Sequence, residues 1–199
     1  MMRTVVEDYL WTFDFNDIDN NKLYNTCCNV EEQLKATLPP VVGDNVYGCF
    51  ASYYHEQYNL FQYNCSELHK LYSNMVKSFA EVMDDSQYYV RCWANLFDKN
   101  KNIDWHSHWR PEENTYHGFY CVNTQGEHNS YTDYNIPGHE EIYRIVSRDG
   151  MCVFGEIGVR SQILTRGWGE RKVANGSWDK GQIIMFVGGH LVRLDALET

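Results

Sequence analysis

The stretch DWHSHWRPEENTYHGFYCVN, residues 104–123, decides how the rest of the chain is read. It parses as two strands, IDWHSHW and HGFYCVN, joined by the polar loop RPEENTY. On a strand, residues two apart share a face. His106 and His108 therefore project together, and Trp105, Ser107 and Trp109 project the other way. Two imidazoles about 6–7 Å apart along a strand can share one metal ion if a neighbouring strand supplies a third donor. Imidazole suits iron, zinc, copper or nickel, so the pair alone does not select the metal. The plainer reading is two partly buried histidines hydrogen-bonded to tyrosines or carboxylates.

Outward from this stretch the texture is that of β-structure. YYVRCWANLF (88–97), NSYTDYNI (129–136), EIYRIV (141–146), GMCVFGEI (150–157), GQIIMFV (181–187) and HLVRLDAL (190–197) are short and rich in aromatic and β-branched residues. Turn-forming residues separate most of them. Such a series predicts a barrel or sandwich. The first half reads differently. TVVEDYLWTFD (4–14) predicts a strand entering the polar turn FNDIDNN (15–21). VEEQLKATL (30–38) predicts a short helix with Glu31 and Glu32 near its positive end, stopped by Pro39 and Pro40. The clearest helix is expected over residues 65–83, where Leu68, Leu71, Tyr72, Met75, Phe79, Val82 and Met83 form one stripe. Asn64 and Glu67 read as a variant capping box at its start, and Asp84-Asp85-Ser86 as its end. The fold class expected is α+β, mainly β with N-terminal helices. It is one domain, with residues 1–87 as a strand and helical support and 88–199 as the barrel core.

Composition sets the limits. The chain has 199 residues, 43% of them apolar, enough for a sizeable core. A net charge of −10 would repel a nucleic-acid backbone, and no Lys/Arg run interrupts it, so no nucleic acid is expected as partner. No apolar run is long enough to span a bilayer, so no membrane is expected either. The N-terminal apolar stretch contains acids and does not read as a signal peptide. Seven cysteines without a CxxC pair predict reduced thiols in a cytoplasmic protein. There is no GxGxxG, P-loop, GxSxG or HExxH.

The WHSHW strand, the following polar loop and the Gly118-Phe119-Tyr120 strand resemble a group of 2-oxoglutarate/Fe(II)-dependent oxygenases that includes forms carried by bacteriophages. The piece Ser130-Tyr131-Thr132-Asp133-Tyr134 fits the same group, and the likeness spans about residues 88–155. The resemblance implies a double-stranded β-helix (a jelly-roll or cupin-like barrel), iron(II) and 2-oxoglutarate. It implies hydroxylation of a small molecule or a protein side chain, with 2-oxoglutarate decarboxylated to succinate. It makes His106 and His108 metal-site residues, with Tyr120 beside the cosubstrate and His117 near the site. Such oxygenases usually carry a carboxylate where this chain has His108, so Asp104 and Asp133 stand as substitutes.

The late part admits two alignments. In one, KGQIIMFVGGH is the late strand, His190 completes the metal site and Arg193 meets the 2-oxoglutarate carboxylate. In the other, GQIIMFV is the last or penultimate strand. The distal histidine should then fall within GEIGVRSQILTRGW, which has none. This departure leaves two further readings. One is a catalytically inactive binding protein on the same barrel; the other is a cupin-like enzyme using zinc or manganese.

Overall fold

The structure is a computed structural model. It describes residues 3–7, 10–42, 49–83, 87–98, 103–107, 115–126, 130–136, 138–155, 160–165 and 183–193. In chain order its elements are β1 (Arg3–Glu7), β2 (Leu10–Asp14), α1 (Asn20–Thr37), α2 (Phe50–Tyr53), α3 (Ser66–Phe79), β3 (Tyr88–Asp98), β4 (Ile103–Ser107), β5 (Thr115–Asn123), β6 (Ser130–Asn135), β7 (Ile142–Val146), β8 (Met151–Gly155), β9 (Arg160–Thr165) and β10 (Ile183–Arg193).

The strands pair antiparallel into two sheets. One has the order β1-β2-β8-β5-β10-β3, the other β4-β9-β6-β7. Alternation along each strand of the larger sheet feeds two cores. From β5, Phe119 and Cys121 join Phe97, Val153, Phe186, Tyr134, Ile136 and Ile145 between the sheets. Their neighbours Tyr120 and Val122 join Phe13, Cys152, Phe154, Met185 and Val187 against the helices. The larger sheet is thus covered on both faces, and the arrangement is jelly-roll-like. Each fully buried aromatic such as Phe97, Phe186 or Tyr134 contributes about 1.5–3 kcal/mol by leaving water.

The helical layer follows from its stripes. In α1, Leu23, Cys27, Val30 and Leu34 are buried at helical spacing. In α3, Leu68, Leu71, Met75 and Phe79 are buried. Helix α1 begins ten residues earlier than the pattern at 30–38 suggested, because Asp19 caps it by accepting from the Lys22 N–H at 3.1 Å. Glu31 consequently lies mid-helix, buried, and accepts from the Ala51 N–H at 3.2 Å. The expected capping box of α3 does not form. Cys65 is its N-cap, without a side-chain capping hydrogen bond. Glu67 reaches instead to the Asp19 N–H, with Oε2 at 2.9 Å, and so ties the starts of α1 and α3 together. The expected strand at 4–14 is a hairpin of two, β1 and β2. The expected strands GQIIMFV and HLVRLDAL are joined as one, β10, running through Gly188 and Gly189. RSQILT, within a stretch weighed only as a place for a histidine, forms β9.

Candidate functional site

Strand register brings the candidate residues to one level. In the larger sheet, Gly155 pairs with His117, His117 with His190, and His190 with Arg91. In the smaller sheet, His106 pairs with Ser161, and Ser161 with Tyr134. The two rows face each other: the rings of His117 and Tyr134 are 6.4 Å apart between the sheets. Positions 106, 117 and 190, widely separated in sequence, thus lie on facing rungs at one level of the sandwich. For His106, His190 and Arg193 the described part is the backbone alone, and His108 lies outside the described residues.

His117 is buried and shares its face of β5 with Phe119. Its ring lies across β8, because a Cβ on Gly155 would stand 2.8 Å from His117 Cε1 and 3.0 Å from Nε2. Glycine at 155 is what leaves room for it. Tyr134 is fully buried beside it, and burial pushes its hydroxyl well above the ordinary tyrosine range. Tyr134 is therefore a neutral wall and hydrogen-bonding group at neutral pH, not a base.

Two residues weighed from the sequence sit elsewhere. Tyr120 points into the helical layer. Its hydroxyl donates to Asn20 Oδ1 at 2.8 Å, and its ring stacks on Phe15. This is a correction to Tyr120 as a cosubstrate contact, and its cause is the alternation that sends His117 and Phe119 the other way. Asp133, a possible carboxylate ligand, is clamped by Arg144 through Nε at 2.6 Å and Nη2 at 2.8 Å. Arg144 also lies over the Tyr131 ring at 3.8 Å. That puts Asp133 on the opposite face of β6 from Tyr134. Asp104 is described by its backbone alone, and Arg193 stands opposite Tyr88, three rungs beyond His190.

β3 contributes residues that the sequence reading passed over. Cys92, Ala94 and Leu96 face the helices, so Arg91, Trp93, Asn95 and Phe97 share the face toward the other sheet. Trp93 and Asn95 are 8% and 5% exposed. The Trp93 indole N–H donates to Asn95 Oδ1 at 3.2 Å, and His55 packs on the indole at 5.1 Å. Their clue was a strand whose alternate positions carry Arg, Trp and Asn on one side.

Against known proteins, no family model matches the chain and no curated protein matches it. Solved structures do. The non-heme alpha ketoglutarate dependent carbocyclase SnoK from nogalamycin biosynthesis superposes with a TM-score of 0.60 at 9% identity, over 92% of this chain and 79% of its own. A Pseudomonas putida prolyl-4-hydroxylase gives 0.56 at 9% identity, over 92% of both chains. The non-heme monooxygenase ThoJ in its nickel complex gives 0.55 at 9% identity, over 91% of this chain and 72% of its own. The chain shares the fold of these enzymes. At such identities the likeness concerns the fold and carries no residue role across.

The donor chemistry of the facing rungs suits an iron(II) centre, since imidazoles bind iron well. Among the described residues, no group of three His, Cys, Asp or Glu side chains stands ready to hold a metal. β9, which pairs with β4, carries Arg160-Ser-Gln-Ile-Leu-Thr165 and no histidine or acid. The described part of the strand next to His106 thus offers no third histidine or acid, and the candidate at its level across the sandwich is His190 on β10.

Proposed function

We propose that this chain is an iron(II)- and 2-oxoglutarate-dependent oxygenase built on a double-stranded β-helix, acting on a small molecule or a protein side chain. The observation that carries the reading is the register of the two facing rungs, His106–Ser161–Tyr134 against Gly155–His117–His190. The fold shared with non-heme oxygenases supports it. In this reading His106, His108 and His190 hold the iron. Bound there, iron with 2-oxoglutarate and O₂ supplies the oxidising power for hydroxylation. The protein's part is structural and electrostatic. His117 and Tyr134 close the inner wall, the aromatic core beneath them keeps water out, and a basic side chain meets the cosubstrate carboxylate, Arg193 being the one the late alignment offers.

The test is succinate formed from 2-oxoglutarate with iron(II) under air, comparing the wild type with His106→Ala. Succinate above background from the wild type and none from the variant is expected. Equal output from both rejects the assignment. A second reading is a non-catalytic binding protein on the same barrel. The specific observation behind it is β9, which sets Ser161 beside His106 where a histidine or acid would complete the centre. Metal uptake without succinate formation, with any substrate class offered, selects that reading.

A further inference from the structure

We infer that Ser130, Thr132 and Ser147 enclose a buried binding site for a water molecule, at the end of the sandwich away from the candidate metal level. The inference is independent of the oxygenase reading.

Three observations carry it. First, the three hydroxyl side chains come together. Ser130, Thr132 and Tyr134 alternate along β6, and residues two apart share a face. Tyr134 belongs to the core between the sheets, so Ser130 and Thr132 face that core as well. Ser147 follows β7, and its N–H donates to the Ser130 carbonyl oxygen at 3.0 Å. It stands opposite Ser130 as Ile145, another member of that core, stands opposite Thr132. Cys121 of β5, in the other sheet, joins the same core, and its thiol lies beside Ser147.

Second, each hydroxyl is sealed from solvent and short of a partner. Ser130 and Ser147 are fully buried, and Thr132 is 1% exposed. None of the three hydroxyl oxygens has a hydrogen-bond partner among the described residues. The neighbouring thiol is a weak donor and a weak acceptor. A buried hydroxyl left without a partner costs stability, and three at one spot multiply that cost. Folded proteins meet such groups with buried water, which typically makes about three hydrogen bonds. Three hydroxyls, each able to donate one bond and accept two, match that demand.

Third, the side chains at this corner are short. Elsewhere the gap between the sheets is filled by Phe97, Phe119, Tyr134 and Phe186. Serine, threonine and cysteine facing one another across sheets about 10 Å apart leave room that a phenylalanine would take. Ser130 lies four residues along β6 from Tyr134, about 13 Å. The water is therefore separate from the metal level and belongs to the frame of the sandwich.

The experiment compares thermal melts of the wild type, Thr132→Val and Ser147→Ala. It also counts long-lived internal waters, by magnetic relaxation dispersion of water oxygen, in the wild type and in Ser130→Ala/Ser147→Ala. A hydroxyl bonded to a held water stabilises the fold, so each single variant should melt about 2–4 °C lower. The double variant should lose one long-lived water. A melting temperature unchanged or raised in either single variant overturns the site, because removing an unmet hydroxyl relieves the core. Lower melting with an unchanged water count overturns it too, since the hydroxyls then bond the protein itself. Should the double variant not fold, a crystal structure of the wild type decides. A water within about 3.2 Å of at least two of the three oxygens upholds the site, and three hydroxyls turned onto protein acceptors overturn it.

Discussion

At the scale of single residues, the site depends on where side chains are missing as much as where they are present. A Cβ on Gly118 would meet the Val153 carbonyl oxygen at 2.5 Å, a backbone atom in the paired strand that cannot step aside. On Gly155 it would meet only the His117 ring. Gly118→Ala is therefore expected to cost about 1–3 kcal/mol or more in urea unfolding. Gly155→Ala should cost less but displace His117, seen as a shifted histidine ring signal by NMR. Equal destabilisation by both would contradict this geometry. The thiols give a second residue-scale prediction. All seven cysteines are free. Burial pushes Cys152 up to about 12 and holds Cys27, Cys92 and Cys121 higher still. Labelling of the native protein with a thiol reagent at neutral pH should be slow at these four and become complete only on unfolding. Rapid modification of four or more thiols in the folded protein would show that the core is not closed. Here the sequence was informative: an odd number of unspaced cysteines pointed to buried thiols, and the folded chain has them.

At the scale of elements, Glu67 is the joint between the two long helices. It accepts from the Asp19 N–H and pairs with Lys70 Nζ at 3.0 Å. Those partners, the Asp19 amide first, hold its carboxyl below the usual range. Folding thus favours the ionised form. Its contribution is complete above the ordinary carboxylate range and fades as pH falls through and below it. Glu67→Ala should cost about 1 kcal/mol at neutral pH, and its stability should fall less steeply in acid than that of the wild type. Parallel acid profiles would remove Glu67 from this role. The joint was not legible in the sequence, because Glu67 three residues after Asn64 imitates a local cap while its true partner is 48 residues away. Strand β9 was missed for a related reason. Arg-Ser-Gln-Ile-Leu-Thr has weak alternation, and its pairing with β4 and β6 makes it a strand. By contrast, β3, β5, β6, β7 and β8 carry strong alternation and aromatic content, so their existence was plain.

At the scale of the whole molecule, the candidate metal positions bridge two sheets that otherwise meet only through side chains. Phe97, Phe119 and Phe186 of the larger sheet pack with Tyr134, Ile136 and Ile145 into the core between the sheets, and His117 meets Tyr134 across the same gap. A metal bound by His106 from one sheet and His190 from the other would cross-link both, and unfolding would have to release it. At a free nickel(II) concentration a hundred times its dissociation constant, linkage adds about 2.7 kcal/mol. For a chain of this size that raises the melting temperature by roughly 5–10 °C. His106→Ala and His190→Ala should each abolish the rise. Tyr120→Phe should keep it in full, because Tyr120 belongs to the helical side and bonds Asn20. The contrast separates a bridging centre from surface binding. Nickel held by stray histidines would stabilise all three variants alike, whereas a centre drawn from both sheets loses its effect when either sheet withdraws its imidazole.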